Sequence, residues 1–405
     1  MSTHRRSASH LRAALLGVAC AAALLTGCNT TDKAERPAEL TKLVNRVEIK
    51  RVWRTSIGGE APKLRLGLDM AVDGNRVFIA SHSGLVEAID ASSGRRLWSQ
   101  KIKAAPLSGG PGAGEGMVVV GSTKGDVIAL SATDGTQRWR RHVNAEVLSA
   151  PAVGRDQVIV RGVDGRMQGL ASADGVELWV VDQQVPRLSL RGDSRPLLVG
   201  DLAVCGFDNG HVEAIVRNSG AVAWNTAVDE PRGTGELKRL IDVDAPVVAD
   251  GEDLFAVAYQ GHVARLTRET GQILWKHEWS SYRGLAVDGN ALYITSADGV
   301  LARLDRSTGA VQWQQKMLVR RELTAPAVLA GRVVVADLDG YVHWFDGTDG
   351  AYLARVSAGK GRVSNTPRVV GDLLLVFTDR GELSAYRAGA TTAPAPPPQP
   401  ARKKR

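Results

Sequence analysis

A frame of glycine and tryptophan recurs along this 405-residue chain, and it constrains the fold more than any other feature. Its first two copies are Gly84-Leu-Val-Glu-Ala-Ile-Asp-Ala-Ser-Ser-Gly94-Arg-Arg-Leu-Trp98 and Gly125-Asp-Val-Ile-Ala-Leu-Ser-Ala-Thr-Asp-Gly135-Thr-Gln-Arg-Trp139, 41 residues apart. The frame returns at Gly165, Gly210, Gly261 and Gly299, with a second Gly ten residues on and Trp179, Trp224, Trp275 and Trp313 fourteen on. A seventh copy starts at Gly340 but has Ala354 in the Trp position, and an eighth starts at Gly381 and stops after Tyr386. Self-similarity at this period marks an array of equal supersecondary units, none of which buries its apolar surface alone.

Each copy reads as strands. The stretch after the first Gly alternates in the manner of a strand, and an Asp/Ser/Thr-Gly pair then turns the chain through a positive φ. A second strand follows with the Trp, and two further apolar runs precede each frame, as at 150–153 and 158–160. Four short antiparallel strands make one propeller blade. The last frame lacks its Trp strand, and an orphan one occurs at Val47-Glu-Ile-Lys-Arg-Val-Trp53. Joining the two completes an all-β, eight-bladed propeller of four-stranded blades, closed by an N-terminal strand, with no open seam to aggregate. Equivalent tryptophans in blade after blade read as packing between blades rather than as ligand platforms; Trp279 and Trp344 stand outside the frame.

The formal charge of +8 is not a nucleic-acid signature, because it sits at the ends. Residues 1–27 carry Arg5, Arg6 and Arg12 with no acids and the tail ends Arg402-Lys-Lys-Arg405, leaving +1 for 28–401, whereas a nucleic-acid-binding domain needs a concentrated basic face. The basic start and the apolar run 13–25, too short to span a bilayer, form an export signal. It ends Leu25-Thr26-Gly27-Cys28, which resembles the lipobox of bacterial lipoproteins and implies lipidation at Cys28. Asn29 in place of Asp implies an anchor on the periplasmic face of the outer membrane. The expected organisation is a signal peptide at 1–27, a tether at 28–40, the propeller at 41–389 and a disordered Pro-rich basic tail at 390–405. Cys205, in the apolar run 202–207, reads as a buried core thiol.

The Ala88, Asp90, Gly94, Trp98 pattern resembles the repeat of pyrroloquinoline-quinone dehydrogenases, which are also eight-bladed. Those enzymes carry vicinal cysteines and a calcium-binding carboxylate set; this chain has no Cys-Cys pair, and a shared fold does not assign activity. Lipobox, size and repeat together resemble the BamB family, lipoprotein subunits of the outer-membrane-protein assembly machine. The more specific matches are Leu188-Ser-Leu-Arg-Gly-Asp-Ser194, Glu236-Leu-Lys-Arg-Leu-Ile-Asp-Val-Asp244 and Gly340-Tyr-Val-His-Trp344. The resemblance implies a non-catalytic scaffold, without cofactor or metal, that binds a POTRA domain of the barrel subunit BamA and other machine subunits. It also implies contact with nascent outer-membrane proteins, by strand addition along blade edges, and help in inserting them. An envelope sugar-binding or adhesion propeller and a quinoprotein-like dehydrogenase are the competing readings.

Spacing points to the same segments. From each Trp to the next Gly the intervals, starting at Trp98, are 27, 26, 31, 37, 24 and 27. The two long ones follow Trp179 and Trp224, in adjacent blades at the same blade position, so 188–194 and 236–244 are expected side by side on one rim, where insertions commonly bind. Leu188 and Leu190 share a side, Arg191 is adjacent, and Asp242 and Asp244 share a side if extended. Apolar anchors beside an Arg, with carboxylates to fix orientation, suit a protein interface, and the family resemblance gives these five residues the BamA contact. Alternatively the leucines belong to the core and Arg191 pairs internally with Asp242.

Overall fold

The computed structural model describes residues 36–57, 68–103, 106–183, 186, 194–231 and 240–391. Two compact units, Met1–Ala38 and Glu39–Arg405, divide the chain, and every described strand lies in the second. Among the described residues, thirty-two strands form eight four-stranded antiparallel sheets, the blades of one propeller. Blade 1 runs outward as Ala71–Asp73, Arg76–Ala80, Leu85–Asp90 and Arg96–Lys101, and blades 2 to 7 repeat that order. Blade 8 combines Arg368–Val370, Leu373–Phe377 and Glu382–Thr391 with Val47–Ser56 as its outermost strand, in register Arg54↔Ser384 and Ser56↔Glu382. The closure expected from the orphan Trp strand is therefore present, and the last strand runs to Thr391, past the expected end of the propeller at 389.

The core lies between blades. Phe78, Val86 and Ala88 of blade 1 pack against Leu107, Val118 and Ile128 of blade 2, and equivalent clusters fill the other seams. Middle strands such as Met117–Ser122 are buried at every position, because each of their faces meets another blade. Burial on both sides replaces the polar–apolar alternation of a one-faced sheet with a continuous apolar run.

The Gly–Trp frame works across the seam. Trp98 of blade 1 donates its indole N–H to the Ala132 carbonyl of blade 2 at 3.0 Å, and a Cβ on Gly135 would lie 2.6 Å from the Trp98 ring. Gly135 also has φ +76°, so conformation and close approach both demand glycine there. Trp53, Trp139, Trp179, Trp224, Trp275 and Trp313 make the same pair of contacts with the following blade. Each Trp thus serves the Gly of the next repeat, not of its own.

The seam between blades 7 and 8 differs because the outer two strands of blade 8 come from opposite ends of the chain, with no Gly turn between them to seat an indole. Ala354 takes the Trp position there, and its register partner Trp344 is fully buried in a cluster with Tyr386, Leu353 and Val47. In five other blades the corresponding pair is Ala or Gly opposite Trp, as in Ala88↔Trp98. Blade 7 carries the same two residue sizes with the strands exchanged.

Candidate partner-binding site

The outermost strands of blades 3 and 4, Glu177–Val181 and Val222–Ala227, end on one face of the ring because every blade runs in the same order. The connectors leading from them to Leu197–Val199 and Val248–Asp250 are the two long ones. Leu188, Leu190 and Arg191 lie outside the described residues, as does Cys28. The described ends of the two connectors meet. Ser194 is fully buried, donates its hydroxyl hydrogen to the Ala245 carbonyl at 3.4 Å and accepts the Gly206 N–H at 3.3 Å.

Residues 240–245 form a strap between blades 4 and 5. The Val243 N–H donates to the Phe207 carbonyl at 3.1 Å, and the Tyr259 N–H donates to the Asp242 carbonyl at 2.8 Å. Ile241 and Val243 enter the core beside Val204, Val228 and Leu254, and a Cβ on Gly206 would fall 2.4 Å from Val243. Asp242 and Asp244 alternate with them, as an extended segment requires. Both are buried, with exposures of 0% and 7%, so these carboxylates belong to the base of the rim and not to its surface.

That base is held by polar contacts. Arg161 is buried, ion-paired with Asp208, lies 5.1 Å over the Phe207 ring and is within electrostatic reach of Asp244. Cys205, the expected core thiol, is fully buried beside it; burial pushes its thiol up, countered only in part by Arg161, and the thiol donates to the Ser194 carbonyl at 3.4 Å. At the start of the first connector, Gln183 donates to the buried Glu213 carboxylate at 2.7 Å, and Asn225 does so at 2.6 Å. Burial raises the Glu213 pKa against these bonds. The described ends of both connectors are thus fixed to packed sheets. Sequence reasoning missed Arg161, although it left a signal: four residues before the frame Gly, the other blades carry uncharged residues such as Ala80, Gly121 and Gly206.

Two cavities adjoin the strap. One of about 520 Å³ at the ring axis is lined by Asp69, Arg195, Asp244, Tyr259, Arg283 and Arg362. Another of about 750 Å³, between blades 5 and 6, is lined by Asp229, Ile241, His262, Trp279 and Lys316, with His262 paired to Asp229. Trp279, outside the repeat frame, is a buried part of the blade 5–6 core. In blade 7, Asp337 accepts from Arg321 at 2.7 Å and bonds the fully buried His343 at 3.0 Å. Among the described residues, no group of three or more His, Cys, Asp or Glu is placed to hold a metal ion.

The family profile described as "Outer membrane protein assembly factor BamB" matches residues 42–105 and 82–315. The protein of that name from Yersinia pestis is 35% identical over 390 residues, covering 93% of this chain and 99% of its own. Its namesake in Pseudomonas aeruginosa is 40% identical over 375 residues, covering 92% and 98%. The crystal structure of BamB from Moraxella catarrhalis superposes with a TM-score of 0.77 at 27% identity, over 84% of this chain and all of that one.

Proposed function

Since this chain belongs to the BamB family of outer membrane protein assembly factors, we propose that its part in that assembly is to hold a POTRA domain of BamA on the rim formed by the two long connectors. The chain itself is a non-catalytic assembly factor. Leu188 and Leu190 supply the apolar anchors and Arg191 the charged contact, while Asp242 and Asp244, buried beneath, hold the strap that orients them. Acylation at Cys28 keeps the propeller at the periplasmic face of the outer membrane, where several acyl chains make attachment stable. The observation that carries the reading is the Ser194–Ala245 contact, which brings the two longest inter-blade connectors together on one face.

A pull-down from detergent-solubilised envelopes tests it. The wild-type chain is expected to recover a barrel protein with periplasmic POTRA repeats, and Arg191→Glu and Leu190→Asp to lose it with unchanged circular-dichroism melts. Recovery by the charge-reversed chain would remove the rim assignment and leave the family membership standing.

A further inference from the structure

We propose that the outermost strands of blades 8, 1 and 2 form a basic arc that lies against the anionic headgroups of a phospholipid surface, so that this side of the ring faces the membrane. The arc is a different surface from the POTRA rim. Its occupant rests on the membrane attachment proposed above.

The near-neutral charge between the chain's two ends conceals an uneven distribution. The outermost strand of blade 8, Val47–Ser56, carries Lys50, Arg51 and Arg54 against Glu48, a net +2. That of blade 1, Arg96–Lys101, carries Arg96 and Lys101, again +2. That of blade 2, Gln137–His142, carries Arg138, Arg140 and Arg141, or +3. Three neighbouring strands thus hold +7, and all eight of their basic residues are exposed. The outermost strands of blades 3 to 7 sum to zero, Glu177 being offset by Arg355 and Lys276 by Glu278.

Nearby acids neutralise only part of the arc. Arg54 pairs with Glu382, Arg96 with Glu87 at 2.9 Å and Arg140 with Asp126 at 2.7 Å. Lys50, Arg51, Lys101, Arg138 and Arg141 have no carboxylate partner among the described residues. Arg140 also donates to the Lys103 carbonyl of blade 1 at 3.2 Å, which carries the arc across the seam. Cations on edge strands deter pairing with other chains, but that purpose would place them on every blade. Their concentration on one side calls for an anionic partner on that side, since crowded like charges repel until one is met.

The path of the chain favours a membrane as that partner. Leu40 packs on the core between blades 6 and 7, and Arg355 of blade 7 donates to the Thr41 carbonyl at 2.9 Å and, through its backbone N–H, to Asn45 Oδ1 at 3.0 Å. The segment leading back to Cys28 therefore joins the ring one blade from the arc, and residues 29–39 span at most about 40 Å when extended. Attraction to headgroups fades within about 8 Å at physiological salt, so an anchor at this end of the chain is what brings the arc close enough to be held.

The test uses the mature chain, 28–405, with Cys28→Ala, exported behind a cleavable signal that adds no lipid. Binding then reports the arc whether or not Cys28 is acylated in the envelope. Co-sedimentation is measured with vesicles of phosphatidylcholine mixed with phosphatidylglycerol, and of phosphatidylcholine alone. The expected result is binding to the mixed vesicles only, abolished at about 1 M salt. Lys50→Gln with Arg138→Gln is expected to weaken it about 25-fold, at about fivefold per charge, and to do so again in a chain with Arg402, Lys403, Lys404 and Arg405 all changed to Gln. Lys276→Gln with Lys316→Gln, on blades 5 and 6, is expected to change nothing. The arc variant retains POTRA capture and Arg191→Glu retains vesicle binding, so arc and rim fail separately. Equal binding to both kinds of vesicle, equal binding by a folded arc variant, or an equal loss in the blade 5 and 6 variant would each overturn the proposal. So would loss of all binding with the tail charges alone, or an arc that captures an acidic protein and no vesicles.

Discussion

Writing the repeat's own tryptophan back into blade 7 is expected to destabilise the protein. Consensus substitutions in repeat proteins commonly add about 0.5–2 kcal/mol, and Ala354→Trp looks like one. The structure argues the opposite sign. Ala354 is 0% exposed and lies in register opposite Trp344, also 0% exposed, and blade 8 has no Gly turn to receive a second indole. Adding even a few methylenes to a filled core costs about 1–3 kcal/mol, so a whole indole sits at the top of that range, about 3 kcal/mol. At about 2 °C per kcal/mol for a large domain, the melting temperature falls by about 6 °C. The exchange Trp344→Ala with Ala354→Trp restores the size pairing of the other blades and is expected to recover at least about 1 kcal/mol over the single variant through coupling of adjacent sites. Urea unfolding followed by circular dichroism measures all three chains. An Ala354→Trp chain as stable as wild type, or a double variant no better than the single, would show that Trp344 does not occupy the missing tryptophan's space.

Gly135→Ala is expected to cost about 2–4 kcal/mol, from backbone strain plus collision with Trp98, while Gly74→Ala, at φ +57° with no atom within 4 Å of the added carbon, costs only the strain, about 1 kcal/mol; equal losses in denaturant melts would deny the indole seat. Asp242→Ala should lower both stability, by about 1–3 kcal/mol, and POTRA capture, in contrast to Arg191→Glu; a melt unchanged in Asp242→Ala would contradict its structural role. Burial pushes the His343 pKa below its usual 6.5, against the pull of Asp337. Unfolded His343 therefore takes up a proton first as pH falls below 6.5, and stability declines by up to about 1.4 kcal/mol per pH unit. Asp337 is pushed up by burial, but His343, the Tyr341 N–H and Arg321 outweigh that and hold it below its usual 3.8, so its contribution is lost only as pH falls through that lower value. Melts of His343→Gln between pH 5 and 7 should lack the first decline; an identical slope would exonerate this histidine.

The ring could be read from the sequence because its signals are local: Gly and Trp at fixed spacing mark each outer hairpin, and the surplus Trp strand near the start matches the deficit at the end. What joins the repeats is not local. That Trp98 serves Gly135 rather than Gly94 follows only from packing neighbouring blades, and Ala354 breaks the pattern in sequence although Trp344, its partner across the strands, stands opposite it. In the candidate site, unequal connector lengths singled out 188–194 and 236–244; of these Ser194 and 240–244 lie among the described residues, where the two connectors touch through Ser194 and Ala245. The burial of Asp242 and Asp244 was hidden because acidic residues in a connector ordinarily face water, and here they belong to a strap packed between two blades.

Blade 8 holds the first and last described strands side by side, with Val47 opposite Thr391. A contact across so much intervening sequence carries a large loop-closure cost and slows folding. As residues are delivered one after another, seven blades can form in turn, but the ring stays an open arc until 382–391 emerges. Until then Val47–Ser56 has no partner strand and blade 8 lacks its third strand, so the interval before the final strand arrives is when this chain most needs protection from neighbouring unfolded β-strands.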